Sequence, residues 1–376
     1  MTPPNRTLNP IYAPNREEQL RQDFVLGLKL LANGPAQEMV RSTFKQQIEP
    51  EIRSALGRAP ERREEVETDL ARTTDFRQWA VLAHRTQSMM WNAIEATTRR
   101  VNAEAERRLA RLRESKQLCG SLELNPQLAI PAPIGNTEIH RQPGGYVGGA
   151  DPDLTPGLRY VGASAIYSVG KGNPAAAGDG RGLALAQQIR ARFPQLRPRR
   201  ILDLGCGVGV HAQAIAREFP DAEYHAVDVA AGLLRLGHVL AEERGIPIHF
   251  YQRDAAHTGF PDGHFDLILS HIFFHETNSA CLPQILRECR RLLAPGGGML
   301  HLDVATQMGR LPLADQVMNH WQVRWNGEPF WTGFAQRDMR AEIEAAGFFP
   351  ETVFAEYPSK GPGNAMYIFG AAAPVS

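Results

Sequence analysis

Ile201-Leu202-Asp203-Leu204-Gly205-Cys206-Gly207-Val208-Gly209-Val210-His211 decides how the chain folds. An apolar run of strand length ends at Leu204, three glycines follow at alternate positions, and an amphipathic stretch starts near His211. The segment therefore reads as strand, tight turn and helix. Glycines at Gly205, Gly207 and Gly209 let the backbone turn sharply and approach a ligand closely. Asp228 ends the next strand about twenty residues on, where a carboxylate can accept hydrogen bonds from both hydroxyls of a ribose. Asp254 and Ala255 follow the third strand, where a carboxylate can accept from an adenine amino group.

Outward from this stretch, strands and helices alternate at the spacing of parallel βαβ units from Ala184 onward. The expected strands are Arg200–Leu204, Glu223–Asp228, Ile248–Gln252, Phe265–Ser270 and Gly298–Asp303. Thr352–Tyr357 and Met366–Phe369 are joined by a Pro/Gly loop short enough for a hairpin, so an antiparallel last strand is expected beside a parallel sheet. The first third reads differently. Asn15 and Glu18 have capping-box spacing, and Leu20, Phe24, Leu28 and Leu31 keep one face up to a stop at Gly34. A second long helix runs from Thr74 to about Arg113 and carries Trp79, Leu82, Met90, Ile94 and Val101. Between Gly120 and Gly182 Pro and Gly dominate, which predicts a linker without long regular elements. The expected organisation is a helical region at 1–117, a linker or strap at 118–180 and an α/β domain at 181–376, with a Trp-rich insert at 307–332.

Lys and Arg balance Asp and Glu at 41 each, so no global electrostatic pull toward nucleic acid or anionic lipid exists, and a small-molecule partner is favoured. No apolar run is long enough to span a bilayer, and the start lacks the order of a secretory signal, so a cytoplasmic location is expected. The four cysteines form no CxxC pair, which predicts neither a disulfide framework nor a structural zinc site.

The chain resembles the class I S-adenosylmethionine-dependent methyltransferases through Ile201 to Gly209, Asp228, Asp254, Phe265-Asp266-Leu267-Ile268 and Leu293-Ala294-Pro295-Gly296-Gly297. The resemblance covers the second half of the chain and lies nearest the small-molecule branch. It implies a doubly wound, seven-stranded Rossmann-like sheet with a reversed last strand, and S-adenosylmethionine as cofactor. It also implies that Gly205, Gly207 and Gly209 pass under the methionine part, that Asp228 holds the ribose and that Asp254 reaches the adenine. Asp203, Cys206, Val229, Ala255, Ser270 and Tyr167 complete the expected cofactor-binding set. A dinucleotide site would prefer G-x-G-x-x-G, whereas this loop reads G-x-G-x-G, and an acidic residue two before it suits a cationic ligand free of phosphate.

Methyl transfer is an in-line displacement, so the protein must align the acceptor and, for a protonated acceptor, take up a proton. The candidate groups sit past the fourth strand: His275 first, then Glu276 and His271. His275 could equally orient the loop by hydrogen bonding to backbone. His271 and His275 also have i, i+4 metal-pair spacing, but no third ligand is evident nearby and no metal is expected. Trp79 and Trp91, with Trp321, Trp325 and Trp331, could line an acceptor pocket or pack the two regions together. The expected partner is a small-molecule acceptor, and the helical region offers a face for a homodimer. Two further readings remain open: transfer or cyclisation of another carbon of the cofactor, releasing methylthioadenosine, and a non-catalytic scaffold that keeps the cofactor site.

Overall fold

The apolar runs around the glycine turn pair side by side into one sheet, because strands buried on both faces find partners only in each other. The computed structural model describes residues 11–170, 179–304, 311–357 and 366–374. Its strands are β1 (Ser121–Glu123), β2 (Arg200–Leu204), β3 (Glu223–Asp228), β4 (His249–Gln252), β5 (Phe265–His271), β6 (Leu293–Val304), β7 (Phe354–Glu356) and β8 (Met366–Ala372). They lie in the order β1-β4-β3-β2-β5-β6-β8-β7. β1 to β6 pair in parallel, while β8 runs antiparallel to both β6 and β7. The order reverses between β2 and β5, and this switch point opens the crevice in which sheets of this kind bind ligands.

The sheet has eight strands, one more than expected. The extra strand, β1, comes from the strap and pairs with β4 at the sheet edge. The strap also carries a 16-residue helix, Thr155–Gly170, in a stretch expected to hold no long element. Its glycines suggested breaks, yet they permit close packing. A Cβ on Gly157 would lie 2.9 Å from the Gly232 carbonyl oxygen, and one on Gly162 would lie 2.4 Å from the Tyr12 ring. The residues predicted for the hairpin loop lie outside the described residues.

The helical region does not stand apart. Met90, Trp91, Ile94 and Val101 of the long helix Thr74–Glu114 share a core with Leu158 and Ile166 of the strap helix and with Leu233 and Leu236 of Ala231–Glu243, a helix on the sheet. A second shared core joins Phe44, Leu70, Phe76 and Trp79 to Val317 and Met318 of the insert helix Leu313–Trp325.

The first helix, Arg16–Asn33, has the expected capping box of Asn15 and Glu18 but turns the opposite face inward. Leu20, Phe24 and Leu31 are 61%, 63% and 45% exposed. Val25 and Leu26 on that face enter the shared core, and buried polar side chains dock beside them: Glu18 pairs with Arg100 at 2.6 Å, Gln22 donates to Thr97 Oγ1 at 3.0 Å, and Lys29 donates to Gln87 Oε1 at 2.8 Å. The inward face thus combines a short apolar pair with satisfied polar contacts.

Trp79 is fully buried, with its ring 5.1 Å from that of Trp321 and 5.2 Å from that of Phe76. It serves the joint between the helical region and the insert. Trp79→Ala should cost roughly 3–5 kcal/mol of stability by cavity creation. Urea unfolding followed by far-UV circular dichroism measures this, and the variant should still bind S-adenosylmethionine.

Candidate functional site

β2 ends at Leu204, and Gly205, Gly207 and Gly209 then all take left-handed φ values of 66°, 57° and 65°, a conformation side chains rarely adopt. Gly209 precedes the helix Val210–Glu218. The turn is pinned from β3: the Asp228 carboxylate accepts from the Gly207 amide and from the Ala230 amide, both at 2.9 Å. Burial raises the Asp228 carboxyl to about 6, against the pull of those two amides.

A cleft opens at this point, lined by Gly205, Asp228, Val229, Asp254, Ala255 and Phe273, with Pro131 and Ile134 of the strap on one side. The residues fit an adenosyl group. The glycine turn is bare above Gly207, where an added Cβ would meet nothing nearer than 3.8 Å. Asp228 stands at the strand end with its carboxylate held in place, and Asp254, whose Oδ1 accepts from the Ala256 amide, lies farther along the same cleft. Phe273 forms the opposite wall: a Cβ on Gly205 would come within 2.1 Å of its ring, so only glycine fits there.

The other expected cofactor residues are placed differently. Asp203 is fully buried, accepts from the Tyr224 hydroxyl at 3.1 Å and pairs with His211 at 2.9 Å. Ser270 is bonded to His301 inside the sheet, and Cys206 is buried beneath the turn. Tyr167 lies outside the cleft lining and donates to Glu328 Oε1 at 3.2 Å.

The loop after β5 brings His275 and Glu276 together and separates them from His271. Ile272 has φ of 57°, so the chain breaks direction there and the i, i+4 spacing is never helical. The His271 ring faces His211 at 5.2 Å, and burial beside His211 keeps it neutral. His275 is buried, with Nδ1 2.6 Å from Asp303 Oδ1, and Asp303 also accepts the amides of Phe273, Phe274 and Val304. Burial opposes protonation of His275, yet Asp303 and Glu276 raise its pKa overall. Its Nε2 lies 3.7 Å from Glu276 Oε1. Trp331 packs against the His275 ring at 6.2 Å, Trp321 belongs to the Trp79 core, and Trp325 is 52% exposed.

His140 and Glu328 have no counterpart among the expected site residues. His140 Nε2 meets Glu276 Oε1 at 2.8 Å and its Nδ1 meets Glu328 Oε1 at 2.9 Å. Burial opposes the charge, but Glu328 and Glu276 raise the imidazole to about 10, so it is an imidazolium at neutral pH. Its carbonyl oxygen accepts from Gln87 Nε2 at 2.8 Å and from Trp91 Nε1 at 2.9 Å, and its amide donates to the Gly327 carbonyl at 2.7 Å. His140 and Arg141 both sit at left-handed φ, 52° and 59°, at a cost of about 1–2 kcal/mol per residue. Tyr146 and Tyr167 flank the His140 ring at 6.4 and 5.4 Å, and Tyr160 joins Tyr146 at 5.9 Å. The result is a buried polar and aromatic cluster, built from the long helix, the strap, the loop after β5 and the insert. Sequence spacing carries no signal for this, since the partners lie more than a hundred residues apart.

Asp228→Asn should lower S-adenosylmethionine affinity at least tenfold at pH 8, since hydrogen bonds to a charged acceptor contribute about 1.5–3 kcal/mol each. In the unaltered chain, affinity should fall as pH drops through about 6, because the raised carboxyl takes up a proton there and loses its charge. Calorimetric titrations from pH 5 to 8 test both; a flat profile would refute the ribose assignment.

Residues 201–297 match the family described as methyltransferase domain. Over 106 residues the chain is 39% identical to demethylmenaquinone methyltransferase of Thermus thermophilus, covering 28% of this chain and 47% of that protein. It is 31% identical over 110 residues to ribosomal RNA small subunit methyltransferase C of Hahella chejuensis, covering 28% and 32%. The chain thus spans less than half the length of these relatives. Among solved structures, the S-adenosylmethionine-dependent methyltransferase SibL aligns at a TM-score of 0.45 with 17% identity, over 90% of this chain and 96% of that one. The match places a methyltransferase domain at residues 201–297, and the glycine turn and the sheet order with its reversed strand are those that the resemblance to the class I S-adenosylmethionine-dependent methyltransferases implies.

Proposed function

We propose that the chain transfers the methyl group of S-adenosylmethionine to a small-molecule acceptor held between Phe273, His275, Glu276 and the strap tyrosines. The observation that carries this reading is the adjacency of a cleft whose glycine turn and Asp228 suit an adenosyl group to the buried polar cluster of His140, His275, Glu276 and Glu328, with Phe273 and Tyr160 standing at the glycine turn between them. When bound, the cofactor supplies an electrophilic methyl group on a sulfonium. The protein's share is alignment and proton handling. Asp303 fixes the Nδ1 side of His275, which leaves Nε2 as the atom able to take a proton from the acceptor. Glu276 lies next to it and favours the imidazolium that would form. The long helix contributes through Gln87 and Trp91, which hold His140 in place, so the helical region belongs to the acceptor site. The exposed Leu20, Phe24 and Leu31 on the first helix suit a contact with a second copy of the chain.

Incubation with methyl-labelled S-adenosylmethionine and a metabolite extract should give a labelled small molecule and S-adenosylhomocysteine. His275→Ala should lower turnover by about 10²-fold or more while changing cofactor affinity less than threefold, whereas Asp303→Asn, which also frees Phe273, should lower both turnover and cofactor affinity. Methylthioadenosine as product would instead mean that another carbon of the cofactor reacts, and absence of any product with tight cofactor binding would favour a scaffold role.

A further inference from the structure

We propose that a cavity at the β1 edge of the sheet is a second ligand site, which takes a small carboxylate with an extended apolar body, as in a medium-chain fatty acid, and that it is separate from the cofactor cleft. The cavity, of about 690 Å³, lies between the C-terminal end of the long helix, the strap segment that forms and follows β1, and the helix Ala231–Glu243. Its volume falls in the range that holds small organic ligands. Leu112, Leu118, Leu122, Leu124, Leu128 and Ile130 line it, and none of the six is fully buried by the fold. Apolar side chains from helix and strap thus border one open space, where water finds few partners. The apolar body of a ligand would cover the surface that the fold leaves open.

Charge on one wall sets the class of the ligand. Arg113, Arg235 and Asp151 line the same cavity, two guanidinium groups to one carboxylate. Asp151 is engaged by Arg113, which donates to its two oxygens at 2.6 and 3.1 Å. Arg235 is only 4% exposed, and its Nη1 donates to the Asp153 carbonyl at 2.9 Å. Its Nε lies 3.0 Å from Asp151 Oδ1 but is misaligned for a hydrogen bond. Burial lowers the Arg235 pKa and Arg113 adds to that, against the opposing pull of Asp151 and Asp153. A buried guanidinium whose charge is shared with a second one over a single carboxylate gains from a further anion. An ammonium group would meet two like charges there. His238 lies on the same wall, buried, with Nδ1 unbonded and a pKa lowered by burial, so it brings no negative charge. The strap divides this cavity from the cofactor cleft: Leu128 and Ile130 line the one, Pro131 and Ile134 the other.

The test titrates the full chain calorimetrically at pH 8 with decanoate, decyltrimethylammonium and acetate, both amphiphiles being kept below the concentrations at which they form micelles. Decanoate should bind about tenfold or more tightly than decyltrimethylammonium, and acetate, which lacks the apolar body, should not bind. Arg235→Gln and Leu118→Glu should each weaken decanoate binding by about tenfold or more. Leu118 is 38% exposed, so its variant keeps the test decisive should thermal unfolding show that Arg235→Gln does not fold. Saturation with S-adenosylhomocysteine should change decanoate affinity by less than about threefold. No binding of decanoate, equal binding of the ammonium compound, or binding unchanged by Leu118→Glu overturns the proposal. Competition between decanoate and S-adenosylhomocysteine also overturns it, since decanoate would then occupy the cofactor cleft.

Discussion

The carboxylate of Asp303 is the constraint on which the site depends. It is fully buried, and a buried charge is tolerated only when its acceptor positions are filled. Asp303 fills them with the amides of Phe273, Phe274 and Val304 and with His275 Nδ1. Those bonds dictate the path of the loop after β5. They carry Phe273 over the glycine turn, which seals the cleft, and fix the imidazole of His275 with Nε2 outward. Glu276 follows as the next residue and meets His140, which in turn holds the strap. One carboxylate at the end of β6 thus sets the cofactor wall, the candidate base and the strap contact together.

His140 performs the complementary task from the other side. Its side chain joins Glu276 of the sheet domain to Glu328 of the insert, while its carbonyl is held by Gln87 and Trp91 of the long helix. Left-handed backbone at two successive non-glycine residues persists only where surrounding contacts over-determine it. Here four segments supply those contacts. Gly327 shows how close the approach is, since a Cβ there would lie 2.7 Å from the Arg141 amide nitrogen. The helical region and the sheet are therefore joined twice, through the shared apolar cores and through this polar knot.

The sequence made the sheet legible because its signals are local. Strand length, glycine spacing and a terminal carboxylate lie within a few residues of one another, and the strands at 200–204 and 223–228 form as expected. Asp228 and Asp254 fall in the cleft for the same reason. The strap was misread because its glycines admit two uses, chain reversal and close packing, and only the neighbour distinguishes them: Gly157 and Gly162 pack against Gly232 and Tyr12. The first helix was misread because its inward face sets Val25 and Leu26 beside Gln22 and Lys29, whose buried partners on another helix no periodicity contains. Glu328 was invisible for the same reason, as its meaning depends wholly on His140 and Tyr167.

The division of labour follows from these differences. Binding an adenosyl group needs a turn and two carboxylates, all supplied by neighbouring strand ends, so it can be encoded locally. Aligning a second reactant with a methyl group needs walls on several sides and exclusion of water, which one sheet edge cannot provide. Under the proposed function, the chain meets that need with buried ion pairs rather than apolar closure alone. Buried pairs are poor sources of stability, because desolvation offsets most of their attraction, but they are strict about geometry. A site whose walls are joined by His140, Glu276 and Glu328 assembles only when strap, insert and sheet are all in register. Such an arrangement gives up some stability for a fixed geometry of charges where strap, insert and sheet meet.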